Sequence, residues 1–232
     1  MRLLVINGSP HADGGNTAAL TAELLTPWRA AGGEVVERYV ARMDVRPCTA
    51  TALCLAGEPC PIKDDVAALH DGMRAADALV LASPVYVFGV TAQLKAFLDR
   101  SMALLHRPEM TGKHAVAVAT SAGMGEQETA RYLGTCCEMM GYDLVGELAG
   151  DFMVYSRPND GEAIFAKARR LGEELVAAVR EKRKYPKLGL HAAQHRFLRD
   201  LIQRNRKLFK GDYEYWKGRE WLETRWPPKG DY

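Results

Sequence analysis

The feature that most constrains this 232-residue chain is its opening. Leu3 to Asn7 is a short apolar run that reads as a buried strand. It leads at once into Gly8-Ser9-Pro10-His11-Ala12-Asp13-Gly14-Gly15-Asn16-Thr17, and a helical pattern starts directly behind. An apolar strand, a loop of small polar residues and a helix N-terminus make a place to hold an anion. The first-turn N–H groups lack partners within the helix, and the helix dipole favours negative charge there. The loop has neither the Lys of a Walker sequence nor the Gly-x-Gly-x-x-Gly dinucleotide fingerprint. It therefore suits a monophosphate held by neutral donors, with the Ser9 and Thr17 hydroxyls aimed at it.

The rest of the chain repeats the alternation. Strands are expected at 3–7, 34–40, 78–82, 115–120 and 144–149. Helices are expected at 17–31, 66–75, 92–105, 126–140 and 162–184. The helix after Thr91 would place Leu94, Phe97, Leu98, Met102 and Leu105 on one side, with Lys95 and Asp99 paired four apart. Short apolar strands alternating with helices predict an α/β fold, a doubly wound five-stranded parallel sheet covered on both faces. Such sheets bind ligands at the carboxyl ends of their strands. Loops with binding chemistry follow the first, third and fourth strands here.

Two of those loops carry a resemblance. Ser83-Pro84-Val85-Tyr86-Val87-Phe88-Gly89 leads into Gln93-Leu94-Lys95-Ala96-Phe97-Leu98-Asp99-Arg100. Together with Gly8-Ser9-Pro10 and Gly15-Asn16-Thr17, this resembles the flavodoxin-like NAD(P)H-dependent FMN reductases, closest to their iron–sulfur flavoprotein branch. The resemblance covers about residues 1–184. It implies that Ser9, His11, Asn16 and Thr17 bind the FMN phosphate. Pro84, Val85, Tyr86, Val87, Phe88 and Gly89 would lie against the isoalloxazine ring, and Thr120, Ser121, Ala122 and Gly123 near its pyrimidine edge. A flavin needs a flat apolar wall and backbone groups at its polar edge, which such turns supply. No side chain is assigned a catalytic role, because the flavin carries the chemistry. For Tyr86 and Phe88, core packing is the competing reading; for His11, it is a solvated loop position.

Between the second and third strands, Cys48, Cys54 and Cys60 fall on three of the four cysteine positions of the iron–sulfur branch, and Thr51 stands at the fourth. A cubane cluster takes four thiolates, and Thr is a poor substitute. No cluster is expected. The segment reads as an irregular loop beside the flavin, with Asp65 capping the next helix. Cys136 and Cys137 are read as core residues, and His191 and His195 as exposed residues of one helix.

Composition narrows the setting. Net charge is +2, five cysteines make an odd count, and no run is long and apolar enough to span a membrane. No signal peptide is visible at the N-terminus, and a cytoplasmic setting is expected. The charge is uneven: from Lys184 onward there are twelve Lys and Arg against six Asp and Glu. Within this extension, residues 185–232, Phe197, Leu198, Leu201, Ile202, Leu208 and Phe209 recur at helical spacing. Tyr213, Tyr215, Trp216, Trp221 and Trp226 follow, before Pro227 and Pro228. Such a stripe needs a cover, and an arm building a homodimer or homotetramer is expected, with neither nucleic acid nor a membrane as partner.

The function expected is that of an FMN-dependent oxidoreductase. It would draw on NADPH or NADH and pass electrons to a small acceptor such as a quinone, free flavin, nitro compound or metal species. The competing readings are an electron carrier like flavodoxin or the iron–sulfur flavoproteins, and a flavin-binding regulatory or scaffold protein.

Overall fold

Side chains in the three central strands alternate between two cores. Leu3 and Val5, Ala78, Val80 and Ala82, and Val116 and Val118 point to one face. Leu4 and Ile6, Leu79 and Leu81, and Ala115 and Ala117 point to the other. Successive side chains of a strand face opposite ways, so strands apolar throughout must be covered on both sides. The computed structural model, which describes residues 1–152, 162–186 and 189–223, shows this arrangement. Its strands are β1 (Arg2–Asn7), β2 (Glu34–Tyr39), β3 (Ala78–Pro84), β4 (His114–Ser121) and β5 (Asp143–Asp151). They form one parallel sheet in the order β2-β1-β3-β4-β5, the flavodoxin-like arrangement expected.

Helices α1 (Asn16–Ala30) and α7 (Glu162–Glu181) cover one face, supplying Leu20, Leu24, Trp28, Ala168 and Leu175 to its core. The other face takes Leu69 and Met73 from α3 (Val66–Ala75) and Leu94 and Phe97 from α4 (Ala92–Arg100). Leu133 and Cys137 come from α6 (Glu126–Met139). Each buried Leu contributes about 1.5–3 kcal/mol relative to exposure, so these two cores carry the fold. Cys136 and Cys137 are buried.

Three local expectations need correction. The helix expected at 92–105 is interrupted at Ser101, whose buried hydroxyl bonds back to Phe97 O at 2.8 Å, and α5 (Met102–His106) follows it. Met102 consequently faces outward rather than into the core. The cysteine segment is not wholly irregular, since it contains the short helix α2 (Leu53–Ala56). Asp65 precedes α3 without capping it: its Oδ2 accepts from Asp44 N at 2.8 Å, and Asp64 Oδ1 takes the Val66 N–H at 3.3 Å.

The extension forms α8 (Gly189–Arg204) and α9 (Lys210–Gly218). Leu198, Ile202, Trp216, Trp221 and Leu222 make a third small core. This unit packs on the chain's own α5 region. Trp216 Nε1 donates to His106 O at 2.6 Å, Tyr215 Oη to Pro108 O at 3.0 Å, and Gln194 Nε2 to Leu105 O at 3.3 Å. Most of the stripe expected to need a partner is thus covered within the chain, while Phe197 and Leu208 stay exposed. His195 is not an exposed helical histidine. It is fully buried, with its ring 5.0 Å from that of Trp216. The His191 side chain, Trp226, Pro227 and Pro228 lie outside the described residues. Among the described residues no helix is long and apolar enough to cross a membrane.

Candidate functional site

The exits of β1 and β3 are tied to the start of α4. Gly8 N donates to Ala82 O at 2.8 Å, and Thr91 Oγ1 donates to Gly8 O at 2.7 Å. A Cβ on Gly8 would stand 2.7 Å from Leu94 Cβ and 2.9 Å from Thr91 Oγ1, so only glycine permits this approach. Beyond it the loop folds on its own polar groups. Asn7 Oδ1 accepts from Ser9 N at 2.8 Å, and Ser9 Oγ accepts from His11 N at 3.3 Å. Helix α1 then begins behind Gly15, which has no side chain with which to cap the first turn. Its free N–H groups are left for a ligand or water.

Below this turn lies a floor of buried hydroxyls: Ser9, Thr17, Thr120 and Ser121. Thr17 Oγ1 and Thr120 Oγ1 are 2.7 Å apart. Two hydroxyls share one hydrogen bond between them, so one O–H remains to be donated elsewhere. Ser121 Oγ donates to Glu126 Oε2 at 2.7 Å. Among the described residues, no Lys or Arg lines the depression. The nearby Arg42 is committed to Asp13 at 2.6 Å, and that hydrogen bond holds the Asp13 carboxyl below its usual range. An anion here would meet neutral donors and His11, as the loop sequence predicts.

The wall is the turn after β3. Tyr86 N donates to Gly89 O at 2.8 Å and Gly89 N to Tyr86 O at 3.1 Å, closing a two-residue hairpin. Its central residues, Val87 and Phe88, sit at φ 50° and 60°, the left-handed region that β-branched and bulky residues avoid. All three side chains are presented to solvent: Tyr86 is 47% exposed, Val87 98% and Phe88 70%. Core packing of Tyr86 and Phe88 is therefore excluded. Exposed apolar side chains on a strained turn, beside a polar depression, form a platform for a planar ring.

One depression gathers Ser9, His11, Asn16, Thr17, Pro84, Val85, Tyr86, Thr120, Ser121 and Ala122. Of the residues expected at the site, Val87, Phe88, Gly89 and Gly123 do not line it; the first three continue the hairpin, and Gly123 lies in the loop after β4. Sequence reasoning missed Phe152, which lines the depression from the end of β5 and donates its N–H to Ser121 O at 2.6 Å. An aromatic immediately after a strand on the ligand-binding rim was the available signal, hidden by a strand expected to end three residues earlier.

The donor set fits a flavin mononucleotide. An uncapped helix N-terminus with surplus hydroxyl donors suits its phosphate, and the hairpin and Phe152 offer surfaces for its ring. The cysteine loop does not fit an iron–sulfur cluster. Cys48, Thr51, Cys54 and Cys60 line one small cavity closed by Ile62, Arg100 and Met102. Only three of those four side chains are thiols. Among the described residues, no three His, Cys, Asp or Glu side chains stand where they could hold a metal ion. Burial raises the Cys54 thiol above its ordinary range.

Residues 1–147 match the sequence profile of the family described as NADPH-dependent FMN reductase. An iron–sulfur flavoprotein of Archaeoglobus fulgidus is 31% identical over 218 residues, 94% of this chain and 98% of that protein. An FMN-dependent NADH:quinone oxidoreductase of Shewanella loihica is 29% identical over 200 residues, 76% of this chain and 99% of the relative. Among solved structures, an archaeal flavodoxin superposes with a TM-score of 0.51 at 16% identity, covering 78% of this chain and 99% of the flavodoxin.

Proposed function

The chain belongs to the NADPH-dependent FMN reductase family and is an FMN-dependent oxidoreductase, and we propose that it oxidises NADPH or NADH and reduces a small organic acceptor. A quinone is the first candidate, ahead of free flavin, nitro compounds and metal species. Bound FMN would supply the redox chemistry between the nicotinamide and the second acceptor. The chain's own residues bind and orient. Ser9, His11, Asn16 and Thr17, with the first turn of α1, hold the phosphate. Thr120, Ser121, Ala122 and Gly123 meet the polar edge of the ring. The Pro84–Gly89 segment backs the ring and presents an apolar surface on which nicotinamide and acceptor stack in turn.

The observation that carries this reading is the exposed Tyr86–Phe88 hairpin beside the hydroxyl floor. Steady-state oxidation of NADPH and NADH against a panel of quinones tests it. Turnover with quinones supports the reading; flavin binding without turnover on any acceptor returns the protein to the carrier or scaffold class. In this proposal the protein works in the cytoplasm as a homodimer or homotetramer joined through the C-terminal extension, without iron, nucleic acid or membrane.

A further inference from the structure

The cysteine loop is tethered at two places, and neither tether involves a metal. At its base, Arg100 grips Asp64 through two hydrogen bonds, Nη1 to Oδ2 at 2.8 Å and Nη2 to Oδ1 at 3.2 Å. The two side chains are 4% and 1% exposed. Arg100 Nη1 also donates to Arg46 O at 3.0 Å, and Asp64 Oδ2 accepts from Arg46 N at 3.0 Å. The chain entering the loop and the chain leaving it are thereby held side by side.

The far end is held by the extension. Asp212 on α9, fully buried, accepts from His106 Nδ1 at 2.7 Å and faces Arg107 Nε at 3.6 Å. Arg107 in turn donates Nη2 to Cys54 O at 2.8 Å, so the guanidinium ion-paired with a buried carboxylate of α9 also holds a cysteine's backbone. Beside this chain of contacts, Gly57 and Gly211 pack backbone to backbone. A Cβ on Gly211 would stand 2.5 Å from both Gly57 Cα and Gly57 N. Contact that close leaves no room for a side chain at position 211, while a Cβ on Gly57 would stand 3.2 Å from Gly211 Cα.

We infer that the C-terminal extension is a clamp on the cysteine loop, holding its backbone at Cys54 and Gly57 through the Asp212–Arg107–Cys54 chain and the Gly57–Gly211 contact, with no iron–sulfur cluster needed to hold it. This assigns a role to the extension and parts company with the cofactor in the names of several relatives. It is independent of the flavin reading, since the clamp lies at the far end of α4. The cavity residue Asp99 is eight residues beyond Thr91, about 12 Å along the helix from the flavin-side loop.

The test is the rate of thiol alkylation at each cysteine in the full-length protein, purified anaerobically, followed by mass spectrometry and accompanied by iron and acid-labile sulfide assays. Cys48, already exposed, is the fast reference, and Cys136 and Cys137, both buried, report whether the main domain stays folded. In the parent protein, free of iron and sulfide, Cys54 should label at least tenfold more slowly than Cys48. In Gly211→Ala, which favours the helix of α9 while forcing Gly57 away, Cys54 should approach the Cys48 rate with Cys136 and Cys137 still protected. Arg107→Met, which leaves both glycines in contact, should do the same more weakly. Unchanged Cys54 protection in both variants overturns the clamp. Stoichiometric iron and sulfide, with protection lost when the iron is removed, overturns it equally.

Discussion

Thr17 on α1 and Thr120 at the end of β4, 103 residues apart in sequence, place their hydroxyl oxygens 2.7 Å from one another on the floor of the candidate site. The contact joins the first-strand loop to the fourth-strand rim, and it leaves one hydroxyl proton for a ligand. Thr17→Val should therefore weaken FMN binding about tenfold, the effect of losing one hydrogen bond to a charged group. Thr120→Val should act less than additively with it. Isothermal titration of apoprotein with FMN measures both; full additivity would show that the two hydroxyls do not act together.

The hairpin at Val87 and Phe88 stores strain that a conventional turn would not. Val87→Asn with Phe88→Gly, the residues a type I′ turn favours, should stabilise the protein by about 1–3 kcal/mol. The same change should raise KM for nicotinamide and acceptor by removing the exposed apolar surface. Denaturant unfolding and steady-state kinetics check the two halves. An unchanged KM would mean that the platform is not where substrates stack.

Acid should open the cysteine loop. Burial works to raise the Asp64 pKa, but hydrogen bonds from Arg100 and from the Arg46 and Val66 backbone hold it below the usual carboxylate range. A carboxylate depressed in the folded state contributes stability that is complete above the unfolded value near 4 and lost as pH falls through the folded one. Asp64→Asn should cost about 3–5 kcal/mol at neutral pH by stranding a buried guanidinium, and should flatten this acid limb. Urea unfolding from pH 2 to 7 measures it.

His195 sets a second, milder window. Burial lowers its pKa to about 4, with Arg199 adding to the effect. The unfolded chain binds a proton that the folded chain refuses, so this residue's contribution is intact above about pH 6.5 and declines toward pH 4. The extension should loosen there first. Fluorescence of Trp216, packed against His195, should report a transition in that range which His195→Phe removes.

Much of the fold was legible because its three central strands are buried on both faces and so read as plain apolar runs, and because the loop at Gly8–Thr17 shows its chemistry in its residue types. What stayed hidden is physically specific. The apolar periodicity from Leu94 runs on past Ser101, and nothing in the spacing shows that this serine turns back on Phe97 O. The turn at Val87 and Phe88 lacks the Gly or Asn that normally marks positive φ. The burial of His195 depends on where two tryptophans, 21 and 26 residues later, come to rest. The extension's stripe announced a need for cover without saying that its own domain would provide most of it.

The surface left over predicts the assembly. Phe197 and Leu208 remain exposed on the extension, and Phe197→Glu with Leu208→Glu should shift a homodimer or homotetramer toward monomer in light scattering at micromolar protein. A doubly substituted protein of unchanged mass would place the subunit contact elsewhere. Truncation after Tyr185 should go further, removing the proposed subunit contact and the cover over α5 together.

Anaerobic rapid mixing of FMN-loaded protein with NADPH and with NADH, followed by addition of a quinone, reads the oxidoreductase activity itself. One FMN per chain with two resolved visible bands is expected, bleached within seconds by at least one nicotinamide and restored by the quinone. Protein that binds no FMN, or a bound flavin that stays oxidised for minutes with both nicotinamides, would contradict it.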